Sequence, residues 1–295
     1  MRILITGANG LIGKNIAKTF IATPQVDVFA TSLKKLNIEG TTSFTSNLLN
    51  ADINYMFDEI RPDIVIHCAA ISSPDACEVD RFICHRMNVE LTRRIVSACV
   101  DYRVHMVFLS TDFVFDGLKG NYTELDTPAP VNYYGESKLE AEKLILASST
   151  NSTIVRTSLV YGVESKLSRP NILTRLIDNL SKNKTYKVPA DQIRTPTFVA
   201  DLASAIVQIC INKVTGIYNV SGEQKISVAD FALQAAKIFG LNHELLLPVN
   251  SGELTEAAPR PTNTSLVIDK AKNDLNFKPT PIGLSLEKIK TTLYG

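Results

Sequence analysis

The chain has 295 residues, 45% hydrophobic and 21% charged, which is enough to bury a full core and permits one large domain or two small ones. Its formal net charge of +1 excludes the electrostatic footprint of a nucleic-acid or membrane-surface partner. Five cysteines without paired short spacings, a first strand that leaves no room for a signal peptide and no apolar run of membrane length predict a cytoplasmic protein with reduced thiols.

Ile3, Leu4 and Ile5 predict a short buried strand, with no room for a helix before the glycines. Gly7, Gly10 and Gly13 then fall at three-residue spacing, and Leu11, Ile12, Ile16, Ala17 and Phe20 continue with helical period. Gly7 turns the chain off the strand, Gly10 lets backbone approach a pyrophosphate, and Gly13 lets the helix pack close to the sheet. Unpaired N–H groups of the first helical turn point at the phosphates. A strand before the glycines and a helix after them make this a nicotinamide-dinucleotide site, to which Asn9, Leu11 and Ile12 are assigned with the three glycines.

Strands are predicted at 27–30 and 44–46, and a helix at 51–59 that Arg61-Pro62 stops before a strand at 64–67. A long helix over 81–100, a strand at 106–109, a helix at 134–147 and a strand at 153–155 follow. After them come a helix at 201–211, a strand at 217–220 and a helix at 228–239. Beyond this, Pro248, Pro259, Pro261, Pro279 and Pro281 break up the pattern into loop-rich material of the kind that walls a cleft. Alternating strands and helices predict an α/β fold, a Rossmann-type doubly wound parallel sheet with a smaller C-terminal substrate-binding domain. The expected division is 1–156 with 199–221 returning to it, and 157–198 with 222–295.

The second strand ends in Thr31-Ser32 followed by Leu33, Lys34 and Lys35, with no acid to hold a ribose diol. Ser32 and the lysines suit a 2′-phosphate, which favours NADPH over NADH; solvated surface lysines are the other reading. Asn47 and Leu48 after the third strand, and Cys68, Ala69 and Ala70 after the fourth, are assigned to the same dinucleotide, although the alanines equally suit packing. Cys77, Cys84 and His85 read as packing rather than a metal site, and no metal is expected.

Ser110-Thr111-Asp112-Phe113 lies at the carboxyl end of a strand, where open sheets bind ligands. Tyr134 and Lys138 share one helix face at a spacing of four. A phenol of pKa about 10 is a poor acid–base group at neutral pH, and a neighbouring ammonium favours its ionised form. Tyr133 has no lysine four residues on and reads as a packing or rim residue.

The run STDFVFDG at 110–117 resembles the hallmark of the dTDP-4-dehydrorhamnose reductase family, within the extended short-chain dehydrogenases whose glycine rhythm the chain also shares. So do 134–142, RTSLVYG at 156–162, DQIRTPTFVADL at 191–202 and RPTNTSL at 260–266, in the same order along nearly the whole chain. The resemblance implies reduction of a 4-keto group on a nucleotide-linked deoxysugar, with Thr111, Tyr134 and Lys138 as the catalytic trio. It places Asp112 and Phe113 at the substrate or its ordering loop, and Arg260 as an anchor for the nucleotide diphosphate. Arg194 stands where a small residue is frequent, adding a positive group near the cleft, and Leu159 stands where members commonly carry Trp.

A dehydratase on this scaffold needs an acidic pair after the strand-end threonine, and Phe113 replaces the second acid. An epimerising reductase of the GDP-fucose synthase type needs a cysteine there, and none is present. The regulatory subunit of methionine adenosyltransferase also resembles these reductases and is the alternative, a non-catalytic NADP-binding partner. The helices at 81–100 and 134–147 resemble those of a four-helix dimer contact, which implies a homodimer.

Overall fold

A computed structural model describes residues 1–36, 38–165, 167 and 169–295. Strands β1 (Arg2–Thr6), β2 (Asp27–Ser32), β3 (Thr42–Thr45), β4 (Ile64–His67), β5 (His105–Thr111) and β6 (Ser152–Thr157) lead the chain. Four short strands, β7 (Val160–Tyr161), β8 (Tyr186–Pro189), β9 (Ile193–Arg194) and β10 (Thr197–Phe198), precede β11 (Gly216–Asn219), β12 (Ile226–Ser227) and β13 (Leu246–Val249). Seven of these form one parallel sheet in the order β11-β6-β5-β4-β1-β2-β3. All residues of β4 and β5 are buried, as a parallel sheet covered on both faces requires.

The helices are α1 (Leu11–Ile21), α2 (Ile53–Ile60), α3 (Pro74–Val79), α4 (Arg81–His85), α5 (Leu91–Asp101), α6 (Tyr133–Leu146), α7 (Ile172–Ser181), α8 (Val199–Asn212), α9 (Val228–Phe239), α10 (Asp269–Leu275) and α11 (Ile282–Tyr294). On one face of the sheet Ile3 and Ile5 pack against Ile16 and Phe20 of α1 and Leu202 and Ile206 of α8. On the other, Leu4, Val65 and Phe108 meet Phe57, Ile95 and Ala141 from α2, α5 and α6. A third cluster, built on Leu173, Leu176, Phe231, Ala235 and Leu286, joins α7, α9 and α11.

The helix expected over 81–100 is interrupted. A π turn spans Arg86–Glu90, and the Leu91 N–H bonds to the Arg86 carbonyl. One extra residue in that turn swings Asn88 inward, where it is buried. The prolines of the C-terminal segment do not all break structure: Pro281 caps α11, a position where its missing N–H costs nothing. Ala271 and Leu275 of α10, with Ile268 and Phe277, pack into the core beneath the sheet rather than with α9 and α11.

Candidate active site

The dinucleotide side is built on the β1–α1 turn. Gly7 has φ +66°, and a Cβ there would meet the Ala69 backbone nitrogen at 2.7 Å. A Cβ at Gly13 would meet the Gly7 carbonyl at 2.7 Å, so α1 lies as close to the turn as its backbone allows. Gly10 differs. It is the N-cap of α1, with extended backbone and no capping side chain, and a Cβ there would meet only the Gly7 oxygen at 3.4 Å. Nothing in the protein demands glycine at that position. The uncapped N-terminus of α1 presents its free N–H groups there, an arrangement that suits an anion.

Asn9, Leu11 and Ile12 are half-buried around this turn. The Ser32 hydroxyl closes a local turn onto the Lys34 carbonyl, and Lys34 and Lys35 are exposed beyond it. Asn47 is exposed and holds its own turn by accepting the Leu49 N–H, whereas the Leu48 side chain belongs to the core under α2 and α5. Arg94 donates to the carbonyls of Leu48, Leu49 and Ala51, fixing that loop. Cys68, Ala69 and Ala70 are half-buried beside Gly7, and burial pushes the Cys68 thiol up to about 12. His67 behind them is neutral, pulled down to about 3 by burial and by the charge of Lys138. Its ring nitrogens bridge Thr6 at 2.7 Å and Thr92 at 3.1 Å, tying β1, β4 and α5 together.

The second part of the candidate site lies at the carboxyl end of β5. Thr111, Tyr134 and Lys138 converge there. The Thr111 hydroxyl accepts from the Phe113 N–H at 3.2 Å and lies against the Tyr134 phenol. Burial pushes that phenol well above the ordinary tyrosine range; Thr111 pulls it back and the Asp112 charge adds to the rise. Burial, rather than the Lys138 ammonium that the sequence points to, governs this phenol. Lys138 is 3% exposed, with its Nζ 3.8 Å from the centre of the Phe108 ring. Burial pulls the ammonium down to about 7, against the opposing charge of Glu142. The Tyr133 ring lies under Arg81 instead, 5.0 Å from its guanidinium, outside this cluster.

Asp112 does not face an open pocket. Its carboxylate accepts from Ser158 at 2.8 Å, from Thr111 at 3.2 Å and from Thr264, and it lies 3.8 Å from Arg194 Nε. Burial raises its pKa, and the Arg194 charge and these hydroxyls hold it back. Arg194 is 2% exposed, and its remaining donors go to the carbonyls of Ile193, Pro261 and Thr262 and to Gln192. The positive group expected at the cleft is therefore enclosed in its wall, with the Phe113 ring 5.4 Å away. Phe113 also meets Tyr134 edge-on at 6.0 Å. Arg260 bonds Asp75 at 2.7 Å and lies 3.4 Å from Glu256. Leu159 adopts a left-handed φ of +38°, held where Thr197 bonds the carbonyls of Ser158 and Leu159.

Sequence reasoning missed Ser158, Thr264, Asn88, Glu142 and Arg156. Ser158, Thr264, Glu142 and Arg156 lie within the runs that carry the family resemblance, and Glu142 also continues the face of Tyr134 and Lys138 by one more turn; Asn88 carried no such signal. Cys77 and Cys84 are buried around the Asn88 amide, while His85 faces Glu140 at 3.6 Å. Among the described residues, no three His, Cys, Asp or Glu side chains gather as a metal site, and no helix is long and apolar enough to cross a membrane.

The chain is 31% identical to the dTDP-4-dehydrorhamnose reductase of Aggregatibacter actinomycetemcomitans, covering 98% of both chains. It is 28% identical to methionine adenosyltransferase 2 subunit beta of Rattus norvegicus, covering 97% of this chain and 86% of that one. The crystal structure of a Bacillus anthracis dTDP-4-dehydrorhamnose reductase in complex with NADP superimposes with a TM-score of 0.85 at 28% identity, covering 99% of each chain. The profile of the RmlD substrate binding domain matches residues 1–294, and the chain belongs to that family.

Proposed function

We propose that the protein is an NADPH-dependent reductase of the 4-keto group of a nucleotide-linked deoxysugar. One observation carries the reading: buried Thr111 and Lys138 and half-buried Tyr134 gather at the carboxyl end of β5, the same edge of the parallel sheet as the uncapped turn at Gly10. The relatives that are dTDP-4-dehydrorhamnose reductases support the same choice of substrate class. Gly7, Gly10, Gly13 and the N-terminus of α1 would hold the pyrophosphate, Ser32 with Lys34 and Lys35 the adenosine ribose and its phosphate, and Lys138 the nicotinamide ribose. When bound, the dinucleotide supplies the hydride that reduces the ketone carbon. Tyr134 delivers its proton to the ketone oxygen, and the Thr111 hydroxyl turns its proton from Asp112 to donate to the same oxygen. A phenol held above its ordinary range stays protonated at neutral pH, the form that this reduction consumes. Arg260 is assigned to the substrate diphosphate, and Asp112 and Arg194 to the wall that seats Phe113. The smaller unit around α7, α9 and α11 would present the sugar nucleotide. A cytoplasmic homodimer joined through α5 and α6 completes the reading.

The test is NADPH oxidation with dTDP-4-keto-6-deoxy-L-mannose generated in place, against an NADH control and a Tyr134→Phe variant. Rapid oxidation that Y134F abolishes, with NADPH binding retained, supports the reductase; retained turnover in Y134F removes the proton donor.

The methionine adenosyltransferase relative supports a second reading, a non-catalytic NADP-binding regulatory subunit. Tight NADPH binding without oxidation of any nucleotide keto-sugar would favour it. The complete Thr111–Tyr134–Lys138 set favours the enzyme.

A further inference from the structure

Tyr134, Lys138 and Glu142 occupy successive turns on one face of α6. Glu142 is 1% exposed, and a carboxylate so enclosed needs full pairing. It has that pairing. Arg156 grips it with two donors, Nε at 3.1 Å and Nη2 at 2.6 Å, and the Ser110 hydroxyl donates at 2.5 Å. Ser110 on β5 and Arg156 on β6 are direct partners in the sheet register, and Ser110 immediately precedes Thr111. A single carboxylate on the helix that bears Tyr134 and Lys138 thus holds the two strands at the level of the strand-end threonine. The Arg156 guanidinium is enclosed as well, at 2% exposure and 5.1 Å from the Phe115 ring, so the pair is sealed from solvent screening.

An apolar pair of equal volume would hold a helix on a sheet at least as stably. What it would not supply is a directional three-way grip and a fixed negative charge one turn from Lys138. We propose that Glu142, clamped by Arg156 and Ser110, is the positioning residue of this site: it sets α6 against β5 and fixes a negative charge one turn from Lys138. The inference rests on the reductase reading for its effect on turnover, but not for its effect on Lys138.

The deciding experiment follows the titration of the Lys138 Nζ by NMR in protein labelled with 15N-lysine, assigned with Lys138→Arg, alongside the pH profile of kcat. In Glu142→Gln the Lys138 midpoint falls by about one pH unit or more, because the opposing charge is gone. The alkaline limb of kcat moves to lower pH with it. Glu142→Asp keeps the charge and shortens the reach, so the midpoint holds while kcat drops about tenfold. If E142Q does not fold, the E142Q/R156M double variant is compared with R156M alone, so that the loss of the Glu142 charge is read with Arg156 absent from both. A midpoint unchanged on loss of the Glu142 charge, with only the melting temperature lowered, overturns the proposal. A wild-type protein that oxidises no NADPH overturns the reductase reading instead, and the NMR midpoint then decides this inference alone.

Discussion

The Arg260 guanidinium bonds the Asp75 carboxylate at 2.7 Å, so the C-terminal segment is latched to α3, just beyond the strand that ends beside Gly7. Asp75 also accepts the Ala258 N–H at 3.1 Å. If Arg260 meets a diphosphate, that anion competes with Asp75 for the same fork. Arg260→Ala should then raise the KM for the nucleotide sugar about tenfold or more with kcat less affected, while Asp75→Asn leaves KM unchanged or lowers it. Steady-state kinetics on the two variants separates this from a plain latch, whose loss from either side would raise KM alike.

Gly10 and Gly13 should respond oppositely to one added methyl. Gly13→Ala drives a Cβ to 2.7 Å from the Gly7 carbonyl and 2.8 Å from Ala8 Cα, both backbone, and should destabilise the fold by about 1–3 kcal/mol. Gly10→Ala meets nothing closer than 3.4 Å and should melt within about 0.5 kcal/mol of wild type. Its NADPH affinity should nevertheless fall about tenfold or more, because the methyl occupies the phosphate's approach. Urea melts and fluorescence titration with NADPH check both halves.

Burial holds the Lys138 pKa at about 7 against an ordinary 10.5. Between those values the unfolded chain binds more protons than the folded one, so stability attributable to this group rises with pH through that window. Below it the buried charge is a full cost. Lys138→Met should therefore stabilise the protein by about 1–3 kcal/mol at pH 6, with the gain shrinking toward pH 10, while abolishing turnover. Melts across pH 6–10 test the sign, and a variant less stable at pH 6 would contradict it.

Asp112→Ala leaves the Arg194 charge without its carboxylate and strips Ser158 and Thr264 of their acceptor. The expected loss is about 3–5 kcal/mol. Asp112→Asn keeps the volume and one acceptor and should cost less. Equilibrium unfolding measures both, and equal losses would show that the charge is immaterial.

The sheet was legible because β1, β4 and β5 carry apolar runs and because Gly7 and Gly13 each answer to a local need of the turn. Tyr134 and Lys138 were legible for a similar reason, since a spacing of four is a helix face whatever the tertiary fold. The π turn at 86–90 was not, because shifting one backbone hydrogen bond leaves the apolar rhythm almost unchanged. Pro281 misled because the same ring that breaks a helix interior is harmless at its start. The sequence places Arg194 as a positive, substrate-binding group near the cleft but does not show its burial. Its enclosure depends on carbonyls at 261 and 262 that the returning chain delivers. Thr264 reaches Asp112 across 152 residues, a contact with no local signature.

That last contact bears on how the chain is made. Asp112 is translated long before Thr264, and the core beneath β1 waits for Ile268, Ala271, Leu275 and Phe277 to fill it. A ribosome-bound nascent chain lacking this final stretch has its glycine turn and its tyrosine–lysine helix but neither a sealed core nor a closed cleft wall. Competence to bind thus arrives only after residues 264–277 are made, and a truncation before residue 264 should yield an aggregation-prone intermediate rather than a weaker enzyme.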